Sequence, residues 1–315
     1  MIKYYTKPSG TLQEVEKLED SNWVNISPPF DHEAIEQLAT RFTIPLDFLT
    51  DSLDIDERSR YEREEDIRLI VLNTPVLNEI DQENEAIFIT APIGIILVED
   101  KIITVTSFES DVILKFIEGK VKNFNPANTR LFVLQLFEQV VFRFLECLKK
   151  LNLKRNLIEK ELYNSARNYE LKQLLRIEKS YVYFVNSLSA NELLKMKMKR
   201  VNFLSVENNE YLQDLFEDII IDNSQALEMA NVYTNILNGT MEAYASIVSN
   251  NMNTFINRLT LITIVLMVPT LVASFYGMNV SLPLSESPYA FPIIVILSIA
   301  TSLFILWFFR RRDVF

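Results

Sequence analysis

Eight side chains set the chemistry to be explained. Asn250, Asn253, Asn257, Thr260, Thr263, Met267, Thr270 and Ser274 are separated by 3, 4, 3, 3, 4, 3 and 4 residues. That spacing places them on one face of a helix. The stretch Leu259–Tyr276 that holds the last five has no charged residue over 18 positions, and Ala290–Phe309 has none over 20. A bilayer core needs roughly 20 apolar residues in a helix, so both runs read as membrane spans. Polar groups that face lipid are costly, so the polar face is expected to point at protein or at water. Two readings remain open. The hydroxyls bond back to their own helix or join helices together, or hydroxyls, amides and a thioether line a water-filled pore. One hairpin cannot enclose a pore, so the second reading requires several copies of the chain. The second span offers only Ser298, Thr301 and Ser302 as polar residues and reads as the lipid-facing helix. Neither span contains a carboxylate, so no proton relay through buried acids is expected.

Other chemistry is excluded by composition. The chain of 315 residues has one histidine, His32, and one cysteine, Cys147. Zinc sites built from Cys and His clusters are excluded within one chain, as is an internal disulfide. The acids lie on long helices without a nucleophile and base pair, so no enzyme is expected. The five glycines (Gly10, Gly94, Gly119, Gly239 and Gly277) lie far apart, so the clustered glycines of phosphate-cradling loops are missing and no organic cofactor is expected. A net charge of −11 argues against nucleic acid as a partner. The charge is also unevenly spread. The segment from Leu259 onward carries three arginines against Glu286 and Asp313, so the preceding 258 residues carry a net −12. Cations are natural partners for such a surface, although solubility alone would also account for it.

The elements that must position the polar face follow from periodicity. Residues 1–115 read as an α/β domain, with strands at Trp23–Ile26, Ile67–Val76, Glu85–Val98 and Lys101–Ser107. Asp31 caps a helix at Ala34–Phe42, and Pro45 opens another at Leu46–Leu53. Residues 116–258 read as a helical domain and stalk, with helices over Thr129–Glu161 and Asn168–Met198. Residues 259–315 form the membrane hairpin, with spans at about 259–276 and 290–309. From Asn208 to Val268 there is a single glycine and no proline, and apolar residues recur near a seven-residue period from Leu212 to Phe255. A helix from Asn208 to Tyr276 would be about 100 Å long at ~1.5 Å per residue. Arg258 before the first span and Arg310–Arg312 after the second place both ends of the hairpin, and hence both termini, in the cytosol. No signal-peptide pattern opens the chain, so residues 1–258 are expected to be cytosolic.

The first span ends in Tyr276-Gly277-Met278-Asn279, and a short loop and a second span with a basic end follow. This resembles the CorA family of divalent-cation channels, whose signature is Gly-Met-Asn at this place. Ser249-Asn250-x-x-Asn253 and Leu259-Thr260 match the family's pattern at the cytosolic end of the pore helix. Leu49-Thr50-Asp51 with Arg58 and Glu62 resembles the family's Leu-Glu-Asp…Arg…Glu segment. The likeness is close over residues 208–279 and looser before them.

The resemblance implies an α+β membrane protein: a homopentameric funnel with an N-terminal α/β cytosolic domain, a helical stalk, an inner ring of first spans and an outer ring of second spans. It would sit in the cytoplasmic (inner) membrane, with lipid, divalent cations and copies of itself as partners. It would conduct Mg²⁺, with Co²⁺ or Ni²⁺ as further candidate ions, inward. Tyr276, Gly277, Met278 and Asn279 would form the selectivity filter, with Gly277 allowing a turn that a β-carbon would obstruct. Asn279 can equally cap the helix, and in a ring both roles coexist. Asn253, Ile256, Leu259, Thr263, Met267 and Thr270 would line the pore, with apolar positions gating it by dewetting. The polar stripe prefers Asn257 and Thr260 where the family pattern places Ile256 and Leu259. Pro269 sits one position later than the family's kink residue. Glu286 is the outer loop's only acid. Regulatory Mg²⁺ would bind between subunits at Asp51 and Asp218 and hold the channel shut, with Thr50 standing where the family has a second acid; both aspartates could equally be ordinary surface acids. A zinc-transporting or efflux relative differs from this signature at the middle position, so Met278 argues against it. A membrane-anchored helical scaffold would carry no ion flux at all.

Overall fold

The computed structural model describes residues 1–8, 10–78, 85–162, 168–279 and 287–311. Seven strands form one mixed sheet: β1 (Ile2–Thr6), β2 (Gln13–Val15), β3 (Trp23–Ile26), β4 (Arg60–Glu64), β5 (Ile67–Leu77), β6 (Phe88–Val98) and β7 (Lys101–Thr106). Their order is β2-β1-β3-β7-β6-β5-β4. Every neighbouring pair is antiparallel except β3 with β7. The helices are α1 (His32–Phe42), α2 (Leu46–Thr50), α3 (Asp111–Ile117), α4 (Thr129–Leu162), α5 (Asn168–Arg200), α6 (Glu210–Tyr276) and α7 (Ala290–Arg311).

The sequence leads to β3, β5, β6, β7 and the long helices with shifts of a few residues at their ends. The stretch expected as one helix over Leu46–Leu53 closes as α2 followed by a 3₁₀ turn at Asp51–Leu53. The expected strand over Glu85–Val98 begins at Phe88. The sequence reading misses β1, β2 and β4. β4 is Arg-Tyr-Glu-Arg-Glu, an edge strand whose charges discourage further pairing and hide its period-two signal.

Both faces of the sheet are covered. Alternate residues of the central strands (Val24, Leu69, Val71, Ile96, Ile103 and Val105) meet α1 and α2 in one apolar core. Asp31 caps α1 as expected, accepting from the Ala34 amide at 3.1 Å. Gly94 lies on this face, and a β-carbon there would come within 2.1 Å of Ser52 Oγ. The fully buried Ser52 hydroxyl is itself fixed, donating to Phe48 O at 3.0 Å. On the other face Trp23 packs against Tyr5, Phe116, Phe124 and Phe132. Its indole N–H donates to Thr104 at 2.9 Å.

α5 is fastened to the sheet where strand pairing stops. The ladder between β4 and β5 runs out at Arg60 and Val71. Two residues on, the Asn191 amide takes over as a strand would, accepting from the Asn73 N–H at 3.1 Å and donating to the Asn73 carbonyl at 2.8 Å. A second polar junction joins α5 to α6. Lys195, fully buried, donates to Asn223 Oδ1 at 2.6 Å and lies over the Phe137 ring. Asn223 in turn donates to Leu188 O at 3.0 Å. Burial pushes the Lys195 pKa down to about 7.

The chain divides into two compact units, Met1–Met241 and Glu242–Phe315. The part of α6 in the first unit buries Leu212, Phe216, Ile219, Asn223, Ala226, Ala230 and Leu237, at helical spacing. The apolar period continues in the second unit with Val248, Met252 and Phe255, and there it is exposed.

Candidate functional site

Two helices have stretches long and apolar enough to cross a membrane: α6, within Glu210–Tyr276, and α7, within Phe291–Phe309. They pack along one face each. On α6 the half-covered residues are Leu261, Ile264, Val265, Val268, Pro269 and Val272. On α7 Ser298 and Ser302 are buried and Ile294, Ile305 and Phe309 half-covered. The two serines therefore belong to the packed face of α7, where small side chains allow close approach, and not to a lipid-facing surface.

Pro269 accounts for part of this arrangement. A proline has no N–H, so it leaves the carbonyl four residues back without its helical partner. That carbonyl is Val265 O, and Ser302 Oγ donates to it at 3.3 Å. In a bilayer an unsatisfied carbonyl is costly, so the second helix supplies what the first lacks.

The face opposite α7 is the candidate pathway. Counting about 100° per residue, Ile256, Leu259, Thr263, Met267, Thr270 and Ser274 cluster about half a turn from the covered face. All six are exposed in the chain. This arrangement favours the family's pore set over the purely polar stripe at two positions: Asn257 falls toward the α7 side, and Thr260 falls between the two faces. Asn253 lies about a quarter-turn off the pathway line. The hydroxyls of Thr260, Thr263 and Thr270 donate to Ile256 O, Leu259 O and Leu266 O, each at 2.9 Å. The back-bonded reading of the stripe therefore holds for the protons, while each oxygen keeps lone pairs for water.

At the C-terminal end of α6 Gly277 N donates to Ala273 O at 2.9 Å and Met278 N to Phe275 O at 3.2 Å, so the helix tightens as it ends. Gly277 is not among the residues of positive φ. A β-carbon there would meet Ala273 O at 3.4 Å and Ser274 O at 3.5 Å, which is contact without obstruction. The expected need for glycine at this turn is thus not met within one chain. Tyr276, Met278 and Asn279 are exposed beside it. Glu286, Arg312 and Asp313 lie outside the described residues.

The candidate regulatory residues stand apart in sequence and carry different surroundings. Asp218 is an exposed residue of α6. Asp51 opens the 3₁₀ turn after α2 and accepts from Arg60 Nη2 at 3.0 Å. Arg60 gathers the local acids, pairing also with Glu57 and with Glu62. Burial works against its charge, but the three carboxylates outweigh it and hold the guanidinium pKa above its ordinary value. Arginines 58, 60 and 63 lie among several acids in the sequence, and only the pairing of β4 selects the one that faces Asp51. The Thr50 hydroxyl donates to Leu46 O at 3.2 Å. Among the described residues no group of three or more His, Cys, Asp or Glu is gathered to hold a metal. One chain thus offers Asp51 to a cation only in competition with Arg60.

A profile of the CorA-like Mg²⁺ transporter protein family matches residues 19–311. The chain is 25% identical over 291 residues to the cobalt/magnesium transport protein CorA of Methanocaldococcus jannaschii, covering 92% of this chain and 90% of that protein. It is 20% identical over 297 residues to the cobalt/magnesium transport protein CorA of Thermotoga maritima, covering 92% and 82%. The complete structure of the CorA magnesium transporter from Methanocaldococcus jannaschii superposes with a TM-score of 0.82 at 24% identity, covering 99% of this chain and 98% of that one. That likeness shows the fold: an α/β domain, a long helix and a C-terminal apolar helix.

Proposed function

This chain belongs to the family of CorA-like Mg²⁺ transporter proteins, and from that premise we propose that it is a homopentameric channel for Mg²⁺ uptake across the cytoplasmic membrane, open also to Co²⁺ and Ni²⁺. The observation that carries the reading is the two-sided α6. α7 covers one face, and the opposite face keeps Ile256, Leu259, Thr263, Met267, Thr270 and Ser274 exposed. Copies arranged in a ring would bring these faces together around an axis and leave α7 outside.

In such a ring Asn279 amides and Gly277 carbonyls form the outer mouth. Mg²⁺ sheds its water reluctantly, so neutral oxygens that bind the ion through its hydration shell suit it, and their neutrality keeps binding weak enough for release. Leu259 and Met267 are apolar constrictions that close by dewetting, and Thr263 and Thr270 offer hydroxyl oxygens between and beyond them. Ring formation also gives Gly277 a role that one chain does not, because neighbouring backbones would converge there. On the cytosolic side Mg²⁺ held between Asp51 of one subunit and Asp218 of the next would relieve carboxylate repulsion and clamp the closed state.

The test is Mg²⁺ uptake into vesicles by Asn279→Ala. The expected outcome is loss of uptake with the pentamer intact by size. Uptake at the wild-type rate would overturn the assignment of the mouth.

A further inference from the structure

Arg63 and Arg68 face each other at the edge of the sheet, close enough to Arg130 of α4 to feel its charge, and among the described residues none of the three has an ion-pair partner although Glu64, Glu65 and Asp66 adjoin them in the sequence. Arg63 on β4 and Arg68 on β5 are direct partners in the antiparallel register. Like charges placed opposite each other across two strands destabilise the pair. Arg130, in the first turn of α4, adds its field at Arg68, and Asp66 is the acid that opposes them. The guanidinium hydrogen bonds go to main-chain oxygens, Arg63 Nε to Glu65 O at 3.0 Å and Arg68 Nη1 to Phe203 O at 2.9 Å. Among the described residues none of the three has a carboxylate in ion-pair reach, whereas Arg41, Arg60, Arg143 and Arg155 all do.

This cluster runs against the chain's own charge balance of 42 acids to 31 bases. With so many carboxylates present, leaving three guanidiniums together without one calls for an anion from outside. Arg68 is the fixed member, 5.8 Å from the centroid of the Phe203 ring, which packs on Tyr61 at 4.7 Å. Arg130 is exposed, and Arg63 is exposed while its Nε is held by Glu65 O. Planar guanidinium forks match phosphate oxygens in pairs, and a dianion with several oxygens satisfies three forks at once, which a single carboxylate with two oxygens does not.

We propose that Arg63, Arg68 and Arg130 form a binding site for a phosphoryl anion, either free phosphate or the terminal phosphate of a nucleotide. The site lies in the first unit, and its argument does not depend on ion conduction. Calorimetric titration of the detergent-solubilised full-length protein tests it, with inorganic phosphate and ATP as separate probes in divalent-free buffer. Binding of either probe is expected, weakening as salt rises. Phosphate binding marks a free-phosphate site; binding of ATP alone marks a nucleotide end. In Arg63→Gln/Arg130→Gln, which leaves the Arg68 anchor in place, affinity should fall at least about tenfold. The melting temperature of that variant, compared with wild type, verifies folding, and Arg63→Lys/Arg130→Lys should recover part of the affinity. Undiminished binding by the glutamine variant, or no binding of either probe to the wild type at millimolar concentration, overturns the proposal.

Discussion

The two units of this chain treat their polar groups in opposite ways. In Met1–Met241 a buried polar side chain is answered from far along the sequence: Asn191 completes Asn73, Lys195 meets Asn223, and Trp23 meets Thr104. In Glu242–Phe315 the threonine hydroxyls close on their own helix, at Thr254, Thr260, Thr263, Thr270 and Thr301, and most described side chains face outward. The first unit buries its apolar core within one chain, whereas Leu259 and Met267 of the second stay exposed and gain neighbours only in the proposed ring. On that reading stability rests mainly on the first region and conduction on the second, and perturbations should separate them.

The two glycines at well-defined places give the largest expected contrast. Gly94→Ala would drive a β-carbon into Ser52, 2.1 Å from its Oγ. Such overpacking costs about 1–3 kcal/mol, so the melting temperature of the first unit should fall, and Ser52→Gly in the same chain should restore most of it. Gly277→Ala meets only contacts at 3.4 and 3.5 Å, so it should melt as wild type and lose Mg²⁺ uptake. A folding defect in Gly277→Ala, or normal stability in Gly94→Ala, would break the comparison.

Next in size is a pH effect confined to the first unit. Burial lowers the Lys195 pKa from 10.5 to about 7. The unfolded chain then binds the proton more tightly, so this residue's contribution is lowest below about pH 7 and rises as pH climbs from there toward the unfolded value. Between about pH 6 and about pH 8 the folding equilibrium should shift about tenfold toward the folded state through this group. Glu192 is the charge whose field reaches it; Phe137 and Asn223 bring none. Lys195→Met, close in volume, should flatten the difference in melting between the two pH values. An unchanged pH dependence in that variant would remove Lys195 as its source.

What the sequence reveals and conceals follows the same division. The spans, the long α6 and the Tyr276–Asn279 ending are legible because bilayer thickness and helical period act locally on composition. The proposed pore face is half legible. Polarity alone selects Asn257 and Thr260, whereas the covering of α6 by α7 favours Ile256 and Leu259, and no single-helix pattern contains that information. Arg60 is hidden for a similar reason, because the edge strand that aims it at Asp51 is too charged to read as a strand. Ser302 could have been suspected from Pro269, since a proline in a span always leaves one carbonyl to be answered. The partner's position, a little over three turns along another helix, could not.

A smaller effect should come from that answer. Ser302→Ala removes the hydroxyl that donates to Val265 O at 3.3 Å. Interhelical hydrogen bonds in membranes contribute about 0.6 kcal/mol on average and up to about 1.7. The proposed pentamer should lose a few degrees of resistance to thermal dissociation, with the first unit's own melting unchanged. Full retention would mean that water or a shift in the helix satisfies the carbonyl.

The smallest effect on stability is expected at Asp51, in the first unit. Asp51 is 41% exposed and shares Arg60 with Glu57 and Glu62. A half-exposed ion pair contributes on the order of 0–1 kcal/mol, so Arg60→Gln should barely alter melting. It should, however, leave three carboxylates uncompensated around the place where regulatory Mg²⁺ is proposed to bind. A divalent cation no longer has to displace a guanidinium there, so uptake should be shut off by a severalfold lower cytosolic Mg²⁺ concentration. Vesicle flux measured against internal Mg²⁺ checks this, with Asp51→Asn as the opposite case that needs more Mg²⁺ to close. If Arg60→Gln closes at the same concentration as wild type, Arg60 is a structural clasp and the regulatory ion sits elsewhere.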